Sequence, residues 1–225
     1  MPKLPLTLAC WNYDRTRALM DGRVSVEGVE LNYLNLVVEE TFFRMLRNRE
    51  FDVAEMSLSS YTLSLFQDPA PFVAIPAFPS RAFRHSGIYV NADASIREPR
   101  DLIGKRVGVP EYQLTANVWI RGILADEYGV AADSVSYFRG GQEQAGRIEK
   151  AAVSLPPNFS LQDIPPDKTL SKMLADGEID AMYAPRAPST LGDGSGSVRR
   201  LFPDYAARER SEEHTSELQS LAYLV

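Results

Sequence analysis

Short apolar runs separated by polar turns dominate the chain, and their spacing predicts alternating strands and helices. Residues 6–11 and 29–36 read as strands, the second entered through a turn at Gly28. Phe42, Met45 and Leu46 recur at helical spacing behind Glu39 and Glu40, two acids suited to a helix start, so a helix is predicted over 39–49. Residues 52–56 form a third predicted strand, and the serines at 57–60 open a helix through Leu65. A strand over 87–90 follows, then a short helix near 99–103, a turn at Gly104 and a strand ending at Pro110. Trp119, Ile120, Ile123, Leu124 and Tyr128 mark one apolar face of a longer helix. A strand over 134–138 comes next, and the Pro-rich polar stretch 152–167 reads as an exposed excursion. A helix over 170–176 stops at Gly177, and 191–197 is a Gly/Ser loop.

One stretch of this pattern occurs twice. MLRNREFDVAEM at 45–56 is echoed by MLADGEIDAMYA at 173–184: Met-Leu, three polar or small residues, Glu, an apolar residue, Asp, then apolar residues. Each copy reads as the end of an amphipathic helix, a tight turn and a strand beginning at the Asp. Two such units far apart in one α/β chain predict two similar lobes with a ligand cleft between them.

Composition narrows the function classes. A net charge of −6, with no Lys/Arg-rich run, argues against nucleic-acid binding. No apolar run approaches the roughly 20 residues that cross a bilayer. The start of the sequence passes straight into a strand without a basic leader and long apolar stretch, which favours a cytoplasmic protein; a lost leader would make it periplasmic. Cys10 is the only cysteine, so no internal disulfide forms, and it reads as a small buried strand residue. Residues 210–220 spell RSEEHTSELQS, the in-frame translation of a common sequencing-adapter oligonucleotide, so 210–225 are expected to be foreign to the natural chain. His85 is the one histidine outside that tail.

Several blocks carry a family resemblance. LACWNYDRT at 8–16, VEETFFRML at 38–46, FDVAEMSLSSY at 51–61, FPSRAFRH at 78–85 and VGVPEY at 107–112 resemble the 4,5-dihydroxyphthalate decarboxylase family over essentially residues 1–208. DLIGKRVGVP at 101–110, followed by a polar loop and a helix, is similar to the second lobe of the type II periplasmic-binding-protein fold. The resemblance implies an α/β fold of that two-lobed type: lobe one over 1–92, lobe two over 93–190, and a return segment over 191–209. Family members are longer and their C-terminal part completes the first lobe, so lobe one is expected to be incomplete here. The family name is shared with transporter substrate-binding proteins.

The activity so implied is decarboxylation of an aromatic dicarboxylate, 4,5-dihydroxyphthalate, to protocatechuate; the rival is a solute-binding protein that only closes on a carboxylate. Arg81 and Arg84 are the candidate clamp for the retained carboxylate, since a planar guanidinium holds one bidentately; the plainer reading is a solvated basic loop. An unperturbed imidazole titrates near neutrality, so His85 is a candidate proton donor, or a structural histidine beside a strand. Glu55, at the end of a buried strand, is either a general acid with a raised pKa or a partner for Arg81 or Arg84. Ser57, Ser59, Ser60 and Tyr61 are candidate ligand donors as well as helix caps. Glu111, Tyr112 and Thr115 occupy the equivalent junction of the other lobe, with Glu111 a third candidate acid. Trp11 and Tyr13 are placed to stack on a ring, although core packing also accounts for Trp11. No organic cofactor is expected, no metal site emerges from one Cys and one His, and a carboxylate-bound divalent ion stays open.

Overall fold

The structure, a computed structural model, describes residues 2–147, 149–150 and 153–215, with side chains through Arg210. It divides into two compact units, one ending at Ala82 and one beginning at Phe83.

The first unit is a three-stranded parallel sheet. β1 (Leu4–Ala9) lies between β2 (Val29–Leu34) and β3 (Val53–Ala54), registering Leu4 with Val29 on one side and Leu8 with Val53 on the other. A four-residue helix α1 (Arg17–Met20), α2 (Val38–Asn48) and α3 (Leu58–Ser64) complete it. The acids at 39 and 40 sit in the first turn of α2, as its macrodipole favours. The chain runs from β1 to β2 on one side, then crosses to β3 on the other, so its switch point is the carboxyl end of β1.

The second unit carries a six-stranded mixed sheet. In chain order its elements are β4 (Ile88–Asn91), β5 (Arg106–Val109), α4 (Thr115–Tyr128), β6 (Ser136–Arg139), β7 (Ser160–Asp163), α5 (Leu170–Ala175), β8 (Ala181–Tyr183), β9 (Val198–Arg200) and α6 (Tyr205–Thr215). The strand order is β7-β6-β5-β8-β4-β9, with β5, β6, β7 and β8 parallel and β4 antiparallel to both neighbours. The switch point is again the carboxyl end of a central strand, β5.

Four expectations from the sequence are corrected here. β4, assigned above to a first lobe ending at 92, pairs with β8 and β9 and so belongs to the second unit. The stretch 152–167 contains β7, a polar edge strand whose Ser-Leu-Gln-Asp sequence gives no apolar signal. Trp119 stands 45% exposed, while Ile120, Ile123 and Leu124 turn inward, so the buried face of α4 excludes the indole. The segment expected to begin as a return segment at 191 includes β9, on the edge of the second unit's sheet. The tail assigned to adapter sequence begins inside α6; its residues 216–225 lie outside the described residues.

The repeated sequence is a repeated structure. α2 ends at Arg49, in the left-handed region with φ 53°, and α5 runs into Gly177 at φ 74°. The next apolar residue, Phe51 or Ile179, is buried. The Asp that follows accepts a backbone N–H from the neighbouring strand: Asp52 Oδ2 from Thr7 at 2.8 Å, Asp180 Oδ2 from Arg106 at 2.9 Å. The motif therefore encodes a helix stop, a core anchor and a latch onto the central strand. That accounts for the turn residue, the apolar residue and the Asp of the repeat.

The two units differ in burial. Among the described residues of the first, only Ala9, Cys10 and Phe51 are buried apolar residues, while Phe66, Val73 and Ile75 are 85%, 93% and 66% exposed. Among the described residues, both clusters of buried apolar side chains belong to the second unit, built on residues such as Ile88, Val107, Ile120, Leu170 and Met182. Local opening is easiest where few apolar contacts are broken. Hydrogen exchange read by mass spectrometry should therefore protect β4, β5 and β8 well beyond β1 and β2. Equal protection in both sheets would refute this ranking.

Candidate functional site

A connected set of polar side chains in the first unit gathers at the carboxyl end of its sheet. β1 delivers Cys10, Trp11 and Tyr13, β2 delivers Tyr33, and β3 delivers Glu55. The parallel register Leu8 to Tyr33 and Ala9 to Ala54 brings these three strand ends together. Glu55 is half-buried at its centre. Its Oε1 accepts the Trp11 backbone N–H at 2.6 Å, and its Oε2 accepts the Tyr13 hydroxyl at 2.8 Å. The Tyr33 hydroxyl donates to the Trp11 carbonyl at 3.1 Å and lies 3.2 Å from Thr16 Oγ1, fixing the loop that carries Tyr13.

Burial raises the Glu55 carboxyl above the ordinary carboxylate range; bonds from Trp11, Tyr13 and Cys10 offset part of that rise, and Glu39 adds to it. The same desolvation pushes Tyr33 up to about 12 and raises Tyr13, whose bond to Glu55 acts in the same direction. Cys10 is also raised, by its burial first. The arrangement is a protonatable carboxyl held by a tyrosine at a sheet switch point, suited to donating a proton.

Around it, Ser57 stands at the N-terminal boundary of α3 with its hydroxyl 3.1 Å from that of Ser59. Ser57 and Ser60 are buried, and Tyr61 is half-buried one turn on. Trp11 is 39% exposed, so the core role weighed for it is not the one it takes. Arg81 is exposed in the segment that ends this unit.

The remaining candidates lie in the second unit. His85 is 1% exposed, edge-on to Phe202 at 5.3 Å between ring centres and to Tyr128 at 6.3 Å, with Glu127 Oε2 3.7 Å from Nε2. That is the aromatic interior of the unit, the setting of a structural histidine. Arg84 beside it is held below the usual guanidinium range by burial, with Glu209 opposing the shift.

Glu111, also 1% exposed, accepts from Arg147 Nε at 3.0 Å, from Gln113 Nε2 at 3.0 Å and from Lys150 Nζ. Two cations on one buried carboxylate make an ion-paired anchor, not a side chain presented as an acid. Tyr112 is packed in the core, its ring under the Arg121 guanidinium at 3.9 Å, and its backbone N–H donates to Glu149 at 3.0 Å. Thr115 is half-buried at the first position of α4. The anchoring cations Arg147 and Lys150 escaped sequence reasoning because they lie 36 and 39 residues from Glu111 in a loop without periodic signal. Tyr33 and Thr16 were missed for a simpler reason: only the strand register reveals that they reach the same end of the sheet.

Among the described residues, no group of three or more His, Cys, Asp or Glu side chains is placed to hold a metal ion, and no helix is long and apolar enough to cross a membrane.

Two parallel-cored α/β units, each with its polar residues at the switch point, define a protein of the type II periplasmic-binding-protein fold. The periplasmic aliphatic sulphonate binding protein SsuA from Escherichia coli shares it with a TM-score of 0.51 at 13% identity, covering 100% of this chain and 72% of that one. No family model matches the chain. Over 204 residues, 91% of its length, it is 50% identical to a 4,5-dihydroxyphthalate decarboxylase from Comamonas testosteroni, and spans 62% of that protein. Over the same length it is 47% identical to a 4,5-dihydroxyphthalate decarboxylase from Pseudomonas putida, spanning 79% of it. The chain belongs to the 4,5-dihydroxyphthalate decarboxylase family.

Proposed function

We propose that this chain decarboxylates 4,5-dihydroxyphthalate to protocatechuate, with Glu55 as the general acid. The observation that carries the proposal beyond family membership is the Glu55 carboxyl, raised by burial and steadied by Tyr13 at the end of β3. In the substrate, each carboxylate has a hydroxyl para to it, and one carboxylate departs. Ionising that hydroxyl pushes electron density onto the carboxylate-bearing ring carbon. Glu55 gives its proton to that carbon, and the ring becomes a dienone. The bond to the carboxylate then breaks, its electron pair restores the aromatic ring and the phenolate, and CO₂ leaves. The phenolate and the Glu55 carboxylate are reprotonated from water. Each turnover thus consumes one proton and transfers no electrons outside the substrate. The substrate's own hydroxyl serves as electron source and sink, so the step proposed here calls on no organic cofactor.

Of the three acids weighed from sequence, Glu55 fits the role best. His85 and Glu111 are each 1% exposed, and Glu111 is occupied by Arg147 and Lys150. The test is direct. The chain, with the Comamonas relative as reference, is given 4,5-dihydroxyphthalate labelled in its carboxylates, and labelled CO₂ and protocatechuate are measured. Stoichiometric release of both is expected. Calorimetric binding of the diacid with no CO₂ would assign the chain to ligand binding without catalysis.

A further inference from the structure

A dianionic substrate needs a cation beside its proton donor. Arg84 belongs to the second unit, where Glu209 faces it, and Arg81 is exposed at the end of the first. The loop after β1 carries a different one. The Arg15 guanidinium carbon lies 5.9 Å from the centre of the Tyr13 ring, and the hydroxyl of that ring holds Glu55 at 2.8 Å. We propose that Arg15 binds a carboxylate of the aromatic diacid on the Tyr13 side of Glu55, and so determines the specificity of this site for carboxylated rings. The identity of the ligand rests on the function proposed above; the role of Arg15 rests on the geometry.

Three features suit Arg15 to the task. Its Nη1 donates to the Pro79 carbonyl, and the Ser80 side chain bonds to the Tyr13 hydroxyl. These two ties hold the guanidinium, the Tyr13 ring and residues 79–80 as one piece. Its acidic neighbour is weak competition: Asp14 lies 3.4 Å away with its side chain 84% exposed, and exposed pairs of this kind contribute little. A ligand carboxylate can displace Asp14 and take the bidentate geometry that a guanidinium offers. Finally, the Arg15 side chain is itself 51% exposed, so its charge is accessible from solvent.

The test compares two probes that the proposed reaction does not consume. Phthalate has both carboxylates and no hydroxyl; catechol has both hydroxyls and no carboxylate. Each is titrated calorimetrically into the chain, into Arg15→Ala and Arg15→Lys, and into Arg23→Ala, which removes an exposed arginine of the same unit paired with Asp21. Arg15→Ala should weaken phthalate roughly 10- to 100-fold, as loss of a charge-assisted bond does, and leave catechol within about threefold. Arg15→Lys should recover part of the loss, and Arg23→Ala should change nothing. Phthalate affinity unchanged in Arg15→Ala, an equal loss in Arg23→Ala, or no phthalate binding by the unsubstituted chain would each overturn the assignment. Arg15-dependent phthalate binding in a chain that releases no CO₂ would uphold Arg15 and reject the catalytic reading instead.

Discussion

Glu55→Gln should abolish most of the turnover while leaving ligand affinity nearly intact. Glutamine matches the shape of the glutamic acid, and its carbonyl oxygen can still accept the Tyr13 hydroxyl or the Trp11 N–H. What it lacks is a proton to give. Loss of a positioned general acid costs about 10²–10⁴ in rate, so kcat should fall by that factor while phthalate binding stays within about threefold. An unchanged rate would move the acid role to another residue.

The same substitution predicts a pH effect on stability. Burial raises the Glu55 carboxyl, so the folded chain holds that proton more tightly than the unfolded chain does. The resulting stabilisation is fully present below the unfolded pKa of about 4.3 and is lost as pH rises through the folded value. Urea titrations from about pH 4 upward should therefore show the unsubstituted chain losing ground to Glu55→Gln as pH rises. A constant difference would mean that the carboxyl is not raised.

The residues of this site were legible to different degrees, and the differences are physical. Glu55 was named from sequence because it follows a strand directly, where a polar residue must meet either the sheet end or solvent, and Tyr13 because an aromatic ring just beyond the first strand is placed to stack on a ligand. The helix over 38–48 was legible from its apolar spacing and acidic first turn, and its partner over 170–175 from the glycine stop at Gly177; the left-handed turn at Arg49 carries no such mark in the sequence. Contacts set by register were not. Tyr33 reaches the loop after β1 only because β2 pairs with β1 along its whole length, and nothing local to Tyr33 announces that pairing. Arg15 looked like one charge in a polar run until the Pro79 carbonyl and the Tyr13 ring, the former 64 residues away, gave it a fixed place. His85 misled in the opposite sense. An imidazole beside two arginines suggests chemistry, yet burial between Tyr128 and Phe202 is decided by α4 and the turn before α6, far along the chain. β7 was invisible because a polar edge strand needs no apolar face to pair with β6.

Glu111 offers the second large effect, on stability. Its carboxylate is 1% exposed and holds Lys150, whose side chain is 7% exposed, together with Arg147, whose side chain is 30% exposed. Removing one partner of a buried pair leaves the other charge desolvated and uncompensated, which costs about 3–5 kcal/mol. Arg147 can turn to water, but Lys150 cannot without opening the segment around Glu149, which also holds the Tyr112 N–H and Arg139. Glu111→Gln should accordingly lower the unfolding free energy by about 3 kcal/mol, read from urea midpoints. The double variant Glu111→Gln with Lys150→Met should recover much of this loss, because the stranded charge is gone and a methionine fills its path. If Glu111 were instead the proton donor of the reaction, the single variant would lose rate at a temperature where it is still folded, and the double variant would not regain it. Full stability in Glu111→Gln, or a double variant no better than the single one, would show that the pair is not the anchor of the carboxyl end of β5.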